Sequence, residues 1–175
     1  GKLSRGLGDV YKRQESDFQR LYKWSLKTDF PLKKEGITSN YMGYDILICY
    51  LKYGKKKIFY PHKSLSESIF DIIVRPEIYS LTYIQYPSKL KAKPHRDYNP
   101  YGKKFKRIQL PLKLPKGGKC YIEWLETNKR VYWEEGKVEI FNVENLHQGA
   151  NESDEEMNFL YIDVHPDLEV ELCKI

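Results

Sequence analysis

The stretch IYSLTYIQYPSKLKAKPHRD, residues 78–97, decides the fold. Its first half is rich in Ile, Tyr and Thr and is closed by Pro87, the pattern of a β-strand and its terminator. Its second half ends on His95 and Asp97. In extended chain, residues i and i+2 point to the same side, so one ion can meet both side chains. A third donor, His147, stands fifty residues beyond Asp97, enough chain for several strands to fold back and deliver it. Two imidazoles and one carboxylate are the facial set that holds non-haem Fe(II) and leaves the opposite positions open.

Outward from this stretch the chain reads as strand and turn. Residues 107–114 (RIQLPLKL) alternate and are turned by PKGGK; 120–125 and 130–133 form a hairpin; 137–141 follow a turn at Gly136; 158–164 (NFLYIDV) are the last long strand. His147 itself sits in NLHQGAN, which reads as a polar turn. Upstream, 44–53 is a strand, Gly54 and its lysines a turn, and 58–60 the start of a return strand. Residues 16–26 have loosely helical spacing, and 64–74 open with Ser64 and Glu67 in capping-box register, so two short helices are expected. Short strands with regular turns predict a mainly β fold, a sandwich or jelly roll.

The 175 residues suit one domain. Fifteen tyrosines favour half-buried strand positions that tolerate a polar tip. No apolar run is long enough to span a bilayer, so no membrane partner is expected. Cys49, Cys120 and Cys173 are scattered and odd in number, which fits buried thiols in a reducing cytoplasm. Residues 1–14 (GKLSRGLGDVYKRQ) resemble a translated sequencing adapter and are expected to be foreign, leaving 15–175 as the domain. That segment carries half of the formal charge of +6. Residues 89–107 hold eight Lys or Arg against one Asp, with Tyr98 and Tyr101 interleaved. Solvated strand faces are the commoner explanation of such text, so nucleic acid is not the expected partner.

The order YIQYP, HRD, RIQLPLKLPKGG, YWEEGKVEIFNVENLHQGAN, FLYIDVHPDL, spanning 78–168, resembles the aspartyl/asparaginyl β-hydroxylase-like branch of the Fe(II)- and 2-oxoglutarate-dependent oxygenases. The resemblance implies a double-stranded β-helix, a cupin-like jelly roll. It places iron on His95, Asp97 and His147 and implies 2-oxoglutarate as co-substrate and O₂ as oxidant. The substrate would be a peptide side chain, an amino acid or a related small molecule. Arg107 falls where the family keeps an arginine that helps hold the co-substrate, and Gln109 where some relatives place a histidine. Tyr83, Gln85 and Tyr86 lie on the strand where relatives place co-substrate contacts.

One departure stands out. Relatives carry an arginine ten residues after the distal histidine to pair with the far carboxylate of 2-oxoglutarate; here that residue is Met157. A thioether neutralises no charge. Three explanations stay open: another cation (Arg107, Lys91 or Lys93), a different co-substrate, or lost oxygenase activity with metal retained. The alternatives are therefore a cupin-like metal enzyme without 2-oxoglutarate, and a non-catalytic jelly-roll module that binds an acidic partner. Outside the pattern, His62 and His165 read as surface and structural residues, Trp124 and Trp133 as core, and residues 98–104 as a loop able to cover a site.

Overall fold

The computed structural model describes residues 16–30, 39–53, 55–59 and 67–170. The segment 1–14, the Gly54 turn, His62, the Ser64 cap and Cys173 lie outside the described residues. The first helix, α1 (Asp17–Lys27), is closed by a capping box: Ser16 Oγ accepts from the Gln19 amide, and Gln19 Oε1 accepts from the Ser16 amide. Then come β1 (Ser39–Tyr41), β2 (Tyr44–Tyr53), β3 (Lys56–Phe59) and α2 (Glu67–Ile73). From there the chain is strand and turn: β4 (Ile78–Tyr86), β5 (Lys106–Lys113), β6 (Cys120–Trp124), β7 (Lys129–Tyr132), β8 (Glu139–Phe141), β9 (His147–Asn151) and β10 (Met157–Val164).

Two antiparallel sheets result. The larger runs β1-β2-β4-β10-β5-β8, with β3 on the far side of β2; the smaller runs β7-β6-β9. This is the mainly β jelly roll expected from the sequence. The large sheet buries both faces. Its outer face (Leu81, Tyr83, Ile108, Leu110, Leu160, Ile162) packs with Leu21 and Trp24 of α1 and Ile69, Ile72 and Ile73 of α2. Bidentate pairs Arg20–Asp71 and Arg75–Asp17 join the two helices at the surface. The inner face (Ile84, Tyr86, Met157, Phe159) packs against Cys120 and Ile122 of the small sheet, with Trp133 and Phe141 between.

Two local expectations are corrected. Residues 107–114 were expected to alternate between core and solvent, but Ile108 through Leu112 are all buried, because helices cover one face and the small sheet the other. HQGAN, expected as a polar turn, is strand β9, and all five of its residues are buried. Its polar groups have internal partners: Gln148 Nε2 donates to Glu123 Oε2 (2.7 Å), and Asn151 Nδ2 donates to the Pro87 and Glu155 carbonyls (2.9 and 2.7 Å). Gly149 at its centre allows a close approach, since a Cβ there would lie 2.8 Å from Tyr86 Oη and 3.3 Å from Trp133 Cη2.

Candidate metal centre

Residues 89–97 run beside β9 as an irregular edge rather than a full strand. Bridges form at Lys91–Ala150 and His95–His147. Between these bridges the register advances by one residue, so the segment bulges at Lys93-Pro94, where proline has no N–H to give. The bulge resets the phase of the strand. Ala92 and His95 are both buried, while Lys91 and Lys93 are exposed. At the bridge the His95 amide donates to the His147 carbonyl and the His147 amide to the His95 carbonyl, both at 2.9 Å. The Asp97 amide donates to Val143 O at 3.0 Å and fixes the next inward position.

The three sequence-predicted donors are brought together. One ligand atom from each of His95, Asp97 and His147 lies within 4.8 Å of the others. Asp97 Oδ1 is 3.3 Å from His95 Nε2 and 3.7 Å from His147 Nε2. Each imidazole is held from behind: His95 Nδ1 lies 2.7 Å from the Lys93 carbonyl and His147 Nδ1 2.8 Å from the Asn145 carbonyl. A carbonyl only accepts, so each Nδ1 carries the proton and turns an Nε2 toward the cluster, the arrangement found behind metal-bound histidines. The Phe141 ring meets the His147 ring edge-on at 5.7 Å and closes that flank with hydrocarbon. Arg96, between His95 and Asp97 in sequence, points outward to Glu126 and the Glu144 carbonyl.

Arg107, from β5, orders the carboxylate. Its Nη1 donates to Asp97 Oδ2 at 2.6 Å, which leaves Oδ1 turned to the imidazoles. Its Nε and Nη2 donate to the two oxygens of Asp163 at 2.6 and 2.7 Å. Tyr101 adds a third contact on Asp163, donating from its hydroxyl at 2.7 Å, and lies 3.0 Å from Ser80 Oγ. Burial opposes the Arg107 charge, but the facing Asp163 and Asp97 more than offset it and raise its pKa. Burial alone would raise the Asp97 pKa; the His95 hydrogen bond and the Arg107 charge reverse the direction and hold the carboxyl below its usual range. The imidazoles diverge. Burial lowers His147, whereas at His95 the opposing pull of Asp97 and the Lys93 carbonyl outweighs burial and raises the pKa.

The other named residues fall into three groups. Gln109 is buried two residues along from Arg107 on the same strand face; its Oε1 accepts from Trp133 Nε1 at 2.7 Å and its Nε2 has no partner among the described residues. Tyr86 is on the inner face, stacked on Tyr44 at 4.4 Å and packed with Trp133 and Phe159. Tyr83 and Gln85 alternate to the outer face, where Tyr83 stacks on Phe30 at 3.9 Å. Strand alternation thus separates Gln85 from the cluster, against the contact expected of it. Met157 is fully buried in the inner apolar cluster. Of the three cations considered as replacements for the absent arginine, Arg107 alone reaches the cluster; Lys91 and Lys93 face solvent. The residues missed by sequence reasoning are Asp163, Tyr101 and Ser80. Asp163 had a signal: it occupies an inward position of β10 in line with Phe159 and Tyr161, and a carboxylate there demands a buried partner.

The model for the aspartyl/asparaginyl beta-hydroxylase family matches residues 64–166, more than half of the chain, with all three clustered donors inside the match. No curated protein matches the chain by sequence. Among solved structures, an oxidoreductase of the 2OG-Fe(II) oxygenase family from Burkholderia pseudomallei is similar over 80% of this chain and 76% of its own, at 10% identity and a TM-score of 0.56. A cupin 2 conserved barrel domain protein from Salinispora arenicola CNS-205 is similar over 79% of this chain and 89% of its own, at 12% identity and a TM-score of 0.47. Among the described residues, no helix is long and apolar enough to cross a membrane. The architecture and the matched span agree: this chain belongs to the aspartyl/asparaginyl beta-hydroxylase family.

Proposed function

We propose that the protein is an Fe(II)- and 2-oxoglutarate-dependent hydroxylase, with His95, Asp97 and His147 as the metal ligands. The observation that carries this is the donor set itself. Two Nε2 atoms with their Nδ1 protons fixed on carbonyls, and one carboxylate oxygen left free by Arg107, converge within 4.8 Å. One hard carboxylate and two borderline imidazole donors fit Fe(II) and leave room for further ligands. When bound, the metal with 2-oxoglutarate and O₂ supplies the oxidation of a substrate C–H bond to an alcohol, with succinate and CO₂ as by-products.

The chain's part is to hold and to exclude. Arg107 keeps Asp97 in one rotamer and cancels charge that would otherwise build up between two buried carboxylates. Gln109 Nε2, a buried donor with no partner among the described residues, faces the same side as Arg107 and offers the co-substrate a hydrogen bond. Phe141 and Tyr161 shield the centre from water with a ring pair at 5.3 Å. No side chain is asked to move a proton.

Purified protein titrated anaerobically with Fe(II) is expected to bind one equivalent and rise in melting temperature. Saturation at about 100 times Kd corresponds to about 2.7 kcal/mol of added stability. With O₂ it should turn 2-oxoglutarate into succinate, read by NMR. Asp97→Ala is expected to lose both the metal-dependent rise and the succinate. A wild-type chain with neither sinks the reading.

A second reading is favoured by Met157: at the position where the resemblance implies a cation for the far carboxylate, this chain has a neutral thioether buried among apolar side chains. It is a metal enzyme of the same fold that does not use 2-oxoglutarate. Calorimetry of metal-loaded protein with 2-oxoglutarate separates the two: heat of binding supports the first, none the second.

A further inference from the structure

A cavity of about 330 Å³ opens beside Asp97, large enough for a small ligand or one side chain. Its wall is the inner face of β2 and β4, including Ile46, Ile48 and Ile84. Its rim is the 98–101 loop, where Tyr98 is 81% exposed. The charged residues of the lining are Asp97, Asp163 and Arg107, two carboxylates against one cation. That cation already donates to both carboxylates, and the Tyr101 hydroxyl is turned to Asp163. The lining therefore has a surplus of negative charge and a hydrocarbon floor. A divalent ion and a dianionic co-substrate cancel each other, so the surplus persists when the centre is loaded.

We propose that this cavity seats the substrate and selects an uncharged, hydrocarbon-rich group over an acidic one; the proposal rests on the hydroxylase reading above. An acidic group entering here would meet surplus negative charge and a guanidinium already committed, and burial of an unpaired carboxylate is strongly unfavourable. An aliphatic side chain on a peptide or small amide meets Ile46, Ile48 and Ile84 instead and gains from leaving water. Tyr98, held out over the rim, supplies an aromatic face for the same group.

The test uses the full chain loaded with Zn(II), a redox-inert ion, together with 2-oxoglutarate, and two probes: N-acetyl-leucinamide and N-acetyl-aspartamide. Binding is read by ligand-observed NMR. The leucine probe is expected to bind at least tenfold more tightly than the aspartate probe. Ile48→Trp, which fills the cavity, should weaken it at least tenfold. Tyr98→Ala, at an exposed position that leaves the fold intact, should weaken it severalfold. Equal binding, preference for the aspartate probe, binding of neither, or a leucine-probe affinity untouched by both variants overturns the proposal. Succinate formation in a parallel Fe(II)-loaded preparation supplied with O₂ and 2-oxoglutarate keeps the two claims apart. Turnover with reversed probe preference sinks only the specificity; a bound leucine probe without turnover sinks only the hydroxylase.

Discussion

Arg107 is the residue on which the centre's geometry turns. It is 14% exposed and faces Asp97 and Asp163, themselves 12% and 2% exposed. Removing one member of such a buried set leaves charge without a partner, which costs about 3–5 kcal/mol. Arg107→Met is therefore expected to lose stability on that scale in urea denaturation and to weaken metal binding, because Asp97 is freed to turn away. Arg107→Lys should recover part of both, since one ammonium can reach one carboxylate but cannot fork across two. The sequence displayed the proposed donors, because His95 and Asp97 are near neighbours and any extended chain puts them side by side. It did not display what Arg107 does. Asp163 lies 56 residues away, and an ion pair across a sheet leaves no local spacing to read.

At the scale of elements, β9 shows where local chemistry misleads. HQGAN has the composition of a turn, yet its backbone pairs with β6 from Cys120–Asn151 to Trp124–His147. Tertiary pairing overrides propensity because each polar side chain finds a hydrogen-bond partner within the protein. Gly149 belongs to this element's packing. Gly149→Ala would drive a Cβ to 2.8 Å from Tyr86 Oη and 3.1 Å from Tyr86 Cε2, so ring and strand must part. A loss of about 1–3 kcal/mol is expected from overpacking, measured by thermal melt, together with weaker metal binding because His147 rides on the same strand. The strands with long β-branched and aromatic runs, β2, β4 and β10, were legible to within one residue, since their outer and inner faces are both apolar. The 89–97 edge was legible only in its candidate donors; the bulge at Lys93-Pro94 depends on pairing with β9 and has no signature of its own.

Across the whole molecule, two cores sit on the two faces of one sheet, and each contains a cysteine. Cys49 belongs to the outer core and Cys120 to the inner one. Burial pushes Cys49 up to about 12 and Cys120 up to about 11, from 9.0. With folded-state values raised, both thiols support folding below the ordinary thiol range. That support is lost as pH climbs toward 11 and 12, so stability should fall on the alkaline side. Near pH 8 neither thiol should alkylate with iodoacetamide in the folded protein, and mass spectrometry across a urea series should show both becoming reactive together if the two cores unfold as one. Labelling of Cys120 well before Cys49 would show the small sheet opening first.

If His95 and His147 hold an ion as proposed, the bridge between them has a consequence for how tightly it is kept. Each amide gives its proton to the other's carbonyl, so neither can trade it with the solvent until the two segments separate. That separation swings both imidazoles away together, and the ion loses two corners of its seat in a single event. The lifetime of a bound ion is in this way tied to a main-chain latch, and the slow clock of backbone deuterium uptake at these two positions runs on the same spring.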